Sequence, residues 1–238
     1  MTTHAFVFAR GGSKGLPRKN LLPMAGLPLV AHSIKVAAAL KEIDGIFVST
    51  EDGEIAALAR EHGARVIERP AELATDTAPE WLAWRHAVAW VEAKEGPFER
   101  FLSLPATAPL RSASDVQRCL AALTASTDLV LTMSAARRNP WFNMVVADAE
   151  GCVRPVNASE RVIRRQDAPA VFDVATVAYA TRPAYIRGAT GLWDGVVRAV
   201  EVPVARAIDI DDDLDFSIAR FLMEQAPHLL ATPQPPRP

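Results

Sequence analysis

Four cations lie close together between residues 10 and 20 and could bind a polyphosphate. Arg10, Lys14, Arg18 and Lys19 occupy the segment Arg-Gly-Gly-Ser-Lys-Gly-Leu-Pro-Arg-Lys-Asn, which no carboxylate interrupts. Its three glycines permit a close approach of the backbone to a ligand and positive φ angles. Their N–H groups can form a concavity that binds anions. The segment therefore predicts phosphate binding, with a plain solvated turn as the alternative interpretation.

Two aspartates near the C-terminus offer a second kind of chemistry. Asp209 and Asp211 alternate with Ile208 and Ile210, which predicts a short strand with both carboxylates on one side. Carboxylate oxygens suit Mg²⁺, an ion that proteins usually bind through one or two carboxylates and the phosphates of a substrate. More aspartates follow directly, so an acidic helix entry is the alternative interpretation, with Asp212 or Asp213 capping the last helix.

The composition is typical of a soluble enzyme. The chain has 238 residues, of which half are hydrophobic, and a net charge of −2, without the basic excess of a nucleic-acid-binding protein. No apolar run approaches the roughly 18 residues of a membrane span, and Ala5–Ala9 is too short for a signal peptide. Cys119 and Cys152 suggest neither a disulfide framework nor a zinc site. We therefore predict a cytoplasmic protein without nucleic-acid or membrane partners.

The elements that must position these residues alternate between strand and helix as far as Met133. This order predicts a parallel α/β sheet with helices on both faces. Ligands of such sheets bind outside the carboxyl ends of the strands. The loops after Ala9, Ile67 and Leu104 should therefore converge on one cleft.

The pattern changes after Met133. Asn143–Ala147 and Val153–Val156 flank a turn-forming segment, which predicts a hairpin. We interpret residues 138–170 as a β-rich insertion for dimerisation within a single domain of residues 1–225. The chain should then return to the main sheet at Val171–Ala180, and the proline-rich tail, residues 226–238, should be disordered.

Six segments resemble the acylneuraminate (CMP-sialic acid) cytidylyltransferases, in the order in which that family has them. They are Ala9–Asn20, Val48–Thr50, Glu68–Ala78, Pro109–Arg111, Arg165–Gln166 with Pro169, and Ile208–Asp211. The resemblance covers residues 4 to 225 and implies a homodimer with a nucleotidyltransferase-like, Rossmann-like three-layer α/β/α fold. It implies that CTP, with Mg²⁺ or alternatively Mn²⁺, reacts with a nine-carbon 2-keto sugar acid to give a CMP-sugar and pyrophosphate.

The resemblance also implies roles for individual residues. The nucleotide would be bound by Arg10, Gly11, Gly12, Ser13, Lys14, Lys19, Asn20, Arg69, Asp76, Thr77 and Ala78. Of these, Arg69 and residues 76–78 would read the cytosine. The sugar would contact Thr107, Arg111, Arg165 and Gln166, the metal would be held by Asp209 and Asp211, and the catalytic residues would be Arg10, Lys14, Lys19 and Asp211.

The sugar half of the chain departs from the family pattern. Pro105–Ala108 stands where sialate enzymes carry Gln-Pro-Thr-Ser, and Asp173–Val177 where they often carry Arg-Pro-Asn-Gly-Ala. The expected acceptor is N-acetylneuraminate or a bacterial relative such as legionaminate or pseudaminate. Kdo is less favoured, because the basic loop and Arg165–Gln166 match the sialate branch better.

Three other classes of protein compete with this interpretation. Asp211–Asp213 satisfies the Asp-x-Asp pattern of metal-dependent glycosyltransferases, although it lies far toward the C-terminus. A non-catalytic nucleotide-binding module would not need Asp209 and Asp211. A dinucleotide-dependent oxidoreductase is disfavoured, since the Gly-x-Gly-x-x-Gly fingerprint is missing.

Overall fold

The computed structural model describes residues 1–157 and 161–231, with a seven-stranded sheet at its centre. In chain order the strands are β1 (Thr3–Phe8), β2 (Pro23–Met24), β3 (Leu27–Pro28), β4 (Gly45–Thr50), β5 (Arg65–Glu68), β6 (Arg100–Ser103), β7 (Leu129–Ala135), β8 (Val145–Ala147), β9 (Val153–Pro155), β10 (Phe172–Thr181) and β11 (Val197–Glu201). The order across the central sheet is β11-β7-β10-β6-β1-β4-β5, while β2–β3 and β8–β9 form separate two-stranded pairs.

Helices cover both faces of this sheet. They are α1 (Leu29–Ala38), α2 (Gly53–Glu61), α3 (Glu80–Glu95), α4 (Ala113–Ala122), α5 (Pro183–Gly188) and α6 (Asp213–Glu224). Ala5 and Val7 of β1 pack with α1, α2 and α4 in one core. Phe6, which lies between them, packs with α3 and α5 in another. This alternation, expected of a strand buried on both faces, confirms the three-layer α/β/α fold.

The strands of the central sheet that precede β10 run in one direction, as predicted, but the sheet as a whole is mixed. β10 lies inside it and pairs antiparallel with both β6 and β7. The chain leaves β7 and enters β10 at adjacent positions, as the pairing of Ala135 with Phe172 records. No helix crosses the sheet in the described residues between them, and a direct return to the neighbouring position forces the antiparallel direction.

The predicted hairpin is present as β8 and β9, which pair antiparallel. Every residue in both strands is exposed. Asn139 ties the base of this segment to the rest of the chain, because its side-chain amide donates to the carbonyl of Pro169 over 2.9 Å. Its role in dimerisation stays a prediction.

The prediction of a strand at residues 208–211 was wrong. These residues form an irregular segment, whose Ile210 N–H donates to the Thr107 carbonyl over 2.8 Å. This single backbone hydrogen bond anchors the segment without the repeated hydrogen bonds of a strand pair. The cap of α4 is Ser112, whose side chain accepts from the Asp115 N–H in a capping box. Asp212 caps α6 as predicted.

The segment after α6 begins with ordered structure. Pro227–Leu230 forms a 3-10 turn, so the prediction of disorder was wrong there. The carbonyl of Leu230 accepts a hydrogen bond of 2.7 Å from Arg206, and its side chain packs against a core. Residues 232–238, the rest of the predicted tail, lie outside the described residues. Within the described part of the chain, no helix is both long and apolar enough to cross a bilayer.

Candidate active site

A cleft of about 350 Å³ opens at the carboxyl ends of the strands. The loops after β1, β5 and β6 converge on it, as predicted. The predicted site residues that line it are Arg10, Gly12, Ser13, Lys19, Asn20, Arg69, Asp76, Ala78, Thr107 and Asp209. The structure thus brings together residues from both ends of the chain.

Lys19 is the most firmly held cation of the basic loop. Its side chain is only 10% exposed and donates to Asp211 Oδ1 over 3.1 Å and to the carbonyl of Ile210. The neighbouring Asn20 donates from Nδ2 to the carbonyl of Arg10 over 2.9 Å, which fixes the curvature of the loop. A buried ammonium group at the wall of a cleft can bind an anionic ligand without first losing much side-chain freedom.

The glycines of the loop are explained by close packing of the backbone against other residues and not by unusual backbone angles. None of Gly11, Gly12 and Gly15 is among the glycines with positive φ, so that part of the prediction was wrong. A Cβ at Gly11 would collide with the carboxylate of Asp52, and a Cβ at Gly15 would collide with the carbonyl of Asp211. A Cβ at Gly12 would meet none of the described atoms, which leaves its backbone open toward the cleft.

The other three cations of the loop are paired with carboxylates. Arg10 and Lys14 both contact Asp76, at 2.6 and 2.8 Å, and bridge the basic loop to the loop after β5. These hydrogen bonds, that from Lys14 above all, hold the pKa of Asp76 below its ordinary value. Arg18 instead pairs with Asp52 and Glu54 at the start of α2. It therefore braces the loop from outside the cleft.

The end of the cleft beside Ser49 and Phe8 is built around Arg69. Its Nε and Nη2 donate to the hydroxyl and the carbonyl of Ser49, over 3.1 and 2.6 Å. Its guanidinium carbon lies 5.6 Å from the centre of the Phe8 ring. Burial lowers the pKa of Arg69, but the group stays charged because its ordinary value is so high.

The two candidate metal ligands occupy different surroundings. Asp209 lines the cleft, and its Oδ1 is buried without a hydrogen-bond partner among the described residues. Asp211 lies beside Lys19 with its side chain 77% exposed. No three His, Cys, Asp or Glu side chains cluster as a metal site in residues 1–157 and 161–231. Mg²⁺ needs only one or two carboxylates when phosphates supply further oxygens, so the orphaned oxygen of Asp209 fits this ion.

The residues predicted to contact the sugar are not all near the cleft. Thr107 lines it. Arg111 is buried and points inward, where it donates to Ser33 Oγ over 2.5 Å and to the carbonyl of Pro105. Burial lowers its pKa to about 9. Arg111 therefore shapes the loop that carries Thr107. Arg165 and Gln166 are exposed on a 3-10 turn, where Arg165 donates to the Arg137 carbonyl, and neither lines the cleft.

Four polar residues that were not among the predicted site residues also line the cleft, namely Thr75, Glu80, Thr176 and Tyr179. Burial raises the pKa of Glu80. Burial and the negative charges of Glu80 and Asp209 raise the pKa of Tyr179, so its hydroxyl keeps its proton. Thr176 has a buried hydroxyl with no hydrogen-bond partner in the described residues. Glu80 was within reach of sequence reasoning, since it begins the helix that follows the predicted cytosine-reading loop.

A mostly parallel sheet whose first strand feeds a basic glycine-rich loop, with a carboxylate across the cleft, defines a nucleotidyltransferase. The sequence matches the family profile described as Cytidylyltransferase over residues 4–187. The chain therefore belongs to the cytidylyltransferase family.

Relatives of known name cover almost the whole chain. A post-translational flagellin modification protein B of Campylobacter coli is 31% identical over 92% of this chain and 94% of its own length. A CMP-N,N'-diacetyllegionaminic acid synthase of Campylobacter jejuni is 32% identical over 91% and 93%. An N-acylneuraminate cytidylyltransferase of Danio rerio is 29% identical over 90% of this chain but half of its own length. The resemblance drawn from the sequence is thereby confirmed.

Solved structures agree on the fold. A CMP:2-keto-3-deoxy-manno-octonic acid synthetase complexed with CTP superposes with a TM-score of 0.70 over 94% of this chain and 99% of its own, at 17% identity. A 4-diphosphocytidyl-2C-methyl-D-erythritol synthase gives a TM-score of 0.65 at 11% identity. At this level of identity the likeness concerns the fold alone.

Proposed function

We propose that this protein activates a nonulosonic acid with CTP, releasing pyrophosphate and forming a CMP-sugar. The observation that carries the proposal is the single cleft that joins a basic glycine-rich loop, the Arg69 end and Asp209. It is supported by relatives of similar length named for CMP-sugar synthesis and flagellin modification. A metal-dependent glycosyltransferase would leave the N-terminal basic loop without a role.

In the proposed reaction, the anomeric hydroxyl oxygen of the sugar forms a bond to the α-phosphorus of CTP. The bond from that phosphorus to the bridging oxygen breaks, pyrophosphate leaves with the electron pair, and the hydroxyl proton passes to a base, for which Asp211 is the candidate carboxylate. Phosphoryl-type transfer depends mainly on positioning and on neutralising charge. Lys19 and the open backbone at Gly12 would hold the triphosphate. Arg10 and Lys14 would release Asp76 and bind phosphate oxygens in its place.

A magnesium ion fits the same scheme, with Mn²⁺ as the alternative. Asp209 would hold it through its unpartnered oxygen, and Asp211 is the second candidate. When bound there, Mg²⁺ would neutralise phosphate charge and polarise the α-phosphate.

We propose a nine-carbon 2-keto acid of the legionaminate or N-acetylneuraminate type as the acceptor. The name of the Campylobacter jejuni relative supports legionaminate. The departure from the sialate pattern at residues 173–177, which places Thr176 at the cleft, supports a bacterial acceptor over N-acetylneuraminate itself. Pseudaminate and Kdo are the alternatives.

We also propose that the protein acts in the cytoplasm as a homodimer. The hairpin of β8 and β9 exposes Val145, Val146 and Val153. An isolated two-stranded hairpin is at best marginally stable in water. A second copy of the chain would cover these side chains and stabilise the hairpin.

The decisive experiment measures pyrophosphate release from CTP and Mg²⁺ with four acceptors: legionaminate, N-acetylneuraminate, pseudaminate and Kdo. We expect release with at least one nonulosonate, formation of the matching CMP-sugar by mass spectrometry, and loss of turnover in EDTA. Failure of every nonulosonate would refute the proposal. Transfer from a nucleotide-sugar without pyrophosphate release would favour the glycosyltransferase instead.

A further inference from the structure

The Arg69 end of the cleft has an apolar floor suited to a flat ring. Phe8 and Ala83 line the cleft there. The ring of Phe8 stacks on Trp84, with 6.3 Å between ring centres. Aromatic faces of this kind stack nucleobases without discriminating between them. Discrimination between bases must therefore come from polar groups at the edge of the floor.

Two groups of opposite charge stand at that edge. Arg69 supplies hydrogen-bond donors, and its Nη1 has no partner among the described residues once Ser49 has taken Nε and Nη2. Glu80 supplies acceptors. Trp84 Nε1 donates to Glu80 Oε1 over 3.1 Å, which fixes the carboxylate and leaves Oε2 without a partner in the described part of the chain.

Glu80 is also placed where a ligand must meet it. It is the first residue of α3, two positions after Ala78, which lines the same cleft. The residue is exposed and lines the cleft. Its charge interacts favourably with that of Arg69 and unfavourably with that of Asp209. An N–H donor from a ligand would give the free Oε2 of this carboxylate a hydrogen-bond partner.

The two side chains match one pyrimidine better than the other. Cytosine presents an amino donor at N4 and acceptors at N3 and O2. Uracil has a carbonyl at position 4 and an N–H at position 3, so the donor and acceptor pattern is reversed at both. A carboxylate accepts from the cytosine amino group but repels the uracil carbonyl, while a guanidinium can donate to O2 of either base.

We propose that Glu80 is a specificity-determining residue that accepts a hydrogen bond from the cytosine amino group, with Arg69 donating to the same base. This inference rests on the proposed function and extends it, because it assigns base selection to a side chain outside the Asp76–Ala78 loop. Trp84 acts as a positioning residue that orients the carboxylate.

The test is Glu80→Gln, which keeps the shape of the side chain but replaces one acceptor with a donor. Calorimetry with CTP and with UTP, without any acceptor sugar, gives the ratio of the two dissociation constants. We expect the preference for CTP to fall on the order of 10- to 100-fold, the effect of one hydrogen bond to a charged group. Melting curves confirm that the variant is folded.

Two further variants sharpen the result. Glu72→Gln is the matched control, since Glu72 is exposed on the neighbouring 3-10 turn Ala71–Leu73 and does not line the cleft. It should leave the ratio unchanged. Trp84→Phe keeps a ring in the core but removes the N–H, and should lower the preference for CTP by a smaller factor than Glu80→Gln.

The outcomes separate this inference from the function on which it rests. A wild-type protein that binds neither CTP nor UTP would refute the proposed function. If the wild type prefers CTP and Glu80→Gln keeps the same ratio, Glu80 does not read the base. An equal loss of affinity for CTP and UTP in Glu80→Gln also overturns the inference, because it indicates a purely structural role.

Discussion

Lys19 differs from the other cations of the basic loop in how it is held. Its side chain is 10% exposed and that of Lys14 is 80% exposed. Its ammonium group binds the segment that carries Asp209 and Asp211, so it connects residues nearly 200 positions apart. A charge placed in this way stabilises the cleft and also remains available to a phosphate oxygen.

We predict that Lys19→Met lowers kcat/KM for CTP by about 100-fold or more, because it removes a preorganised charge from the triphosphate. Steady-state pyrophosphate release measures the effect. Lys94→Met, which alters an exposed lysine on α3, is the control and should retain wild-type rates. A Lys19→Met enzyme that is folded and fully active would contradict the assignment of this loop.

The residue types of the site could be predicted better than their roles. Arg10, Gly12, Lys19 and Asp209 were identified from sequence and do line the cleft. Arg111 was predicted to contact the sugar, but its guanidinium donates hydrogen bonds to Ser33 and to the carbonyl of Pro105 instead. Sequence spacing identifies a cation but not the direction in which its side chain points, since that depends on partners far away in the chain.

At the level of elements, one buried ion pair connects α4 to the C-terminal part of the chain. Arg206 donates from Nε and Nη2 to both oxygens of Asp115, over 2.7 and 2.8 Å, and both residues are almost completely buried. Arg206 also donates from Nη1 to Leu230. Because Arg206 precedes Asp209 by three residues, this pair anchors the segment that carries the candidate metal ligand.

We predict that Arg206→Leu destabilises the protein by about 3–5 kcal/mol, because it leaves the Asp115 carboxylate buried without its main partner. Chemical denaturation measures this change. The double variant Arg206→Leu with Asp115→Leu should recover much of the loss. A single variant as stable as the wild type would show that the pair contributes little to the fold.

The ion pair of Arg206 and Asp115 should also make the stability of the protein depend on pH in the acid range. Burial raises the pKa of Asp115, but hydrogen bonds from Arg206, Ser112 and Arg118 outweigh this and keep it below its ordinary value. A carboxyl group whose pKa is lower in the folded state stabilises the fold at any pH above its pKa in the unfolded chain, which is about 4. This contribution is lost as the pH falls through the pKa of the folded state. Melting temperatures should therefore depend less on acid pH in Asp115→Asn than in the wild type.

The helices and strands could be predicted from local sequence patterns, whereas the pairing of the strands could not. The alternation of strand and helix as far as Met133 was predicted, and α3 within it buries Trp81, Trp84 and Val88. The antiparallel position of β10 depends on how the chain returns from the hairpin, which no local pattern records. Residues 208–211 have the alternation of a strand, but within the described part of the chain no strand pairs with them.

For the whole molecule, the most informative surface is the apolar end that holds the hairpin. Val145 is 57% exposed and Val153 is 64% exposed. Phe172 and Val174 of β10 are exposed as well. Exposed apolar side chains mark interaction sites in soluble proteins when they form a large patch. The hairpin lies on an insertion whose side chains are not needed to fill either core beside the sheet.

We predict that the wild-type protein is a dimer in solution and that Val145→Asp with Val153→Asp converts it to a monomer. The two charges would be buried without partners in a dimer but would stay hydrated in a monomer. Sedimentation equilibrium at several protein concentrations measures the mass. Leu214→Asp is the control, because Leu214 is equally exposed, at 67%, but lies in the first turn of α6. A charged hairpin variant that remains dimeric would place the interface elsewhere, and a monomeric wild type would refute the dimer.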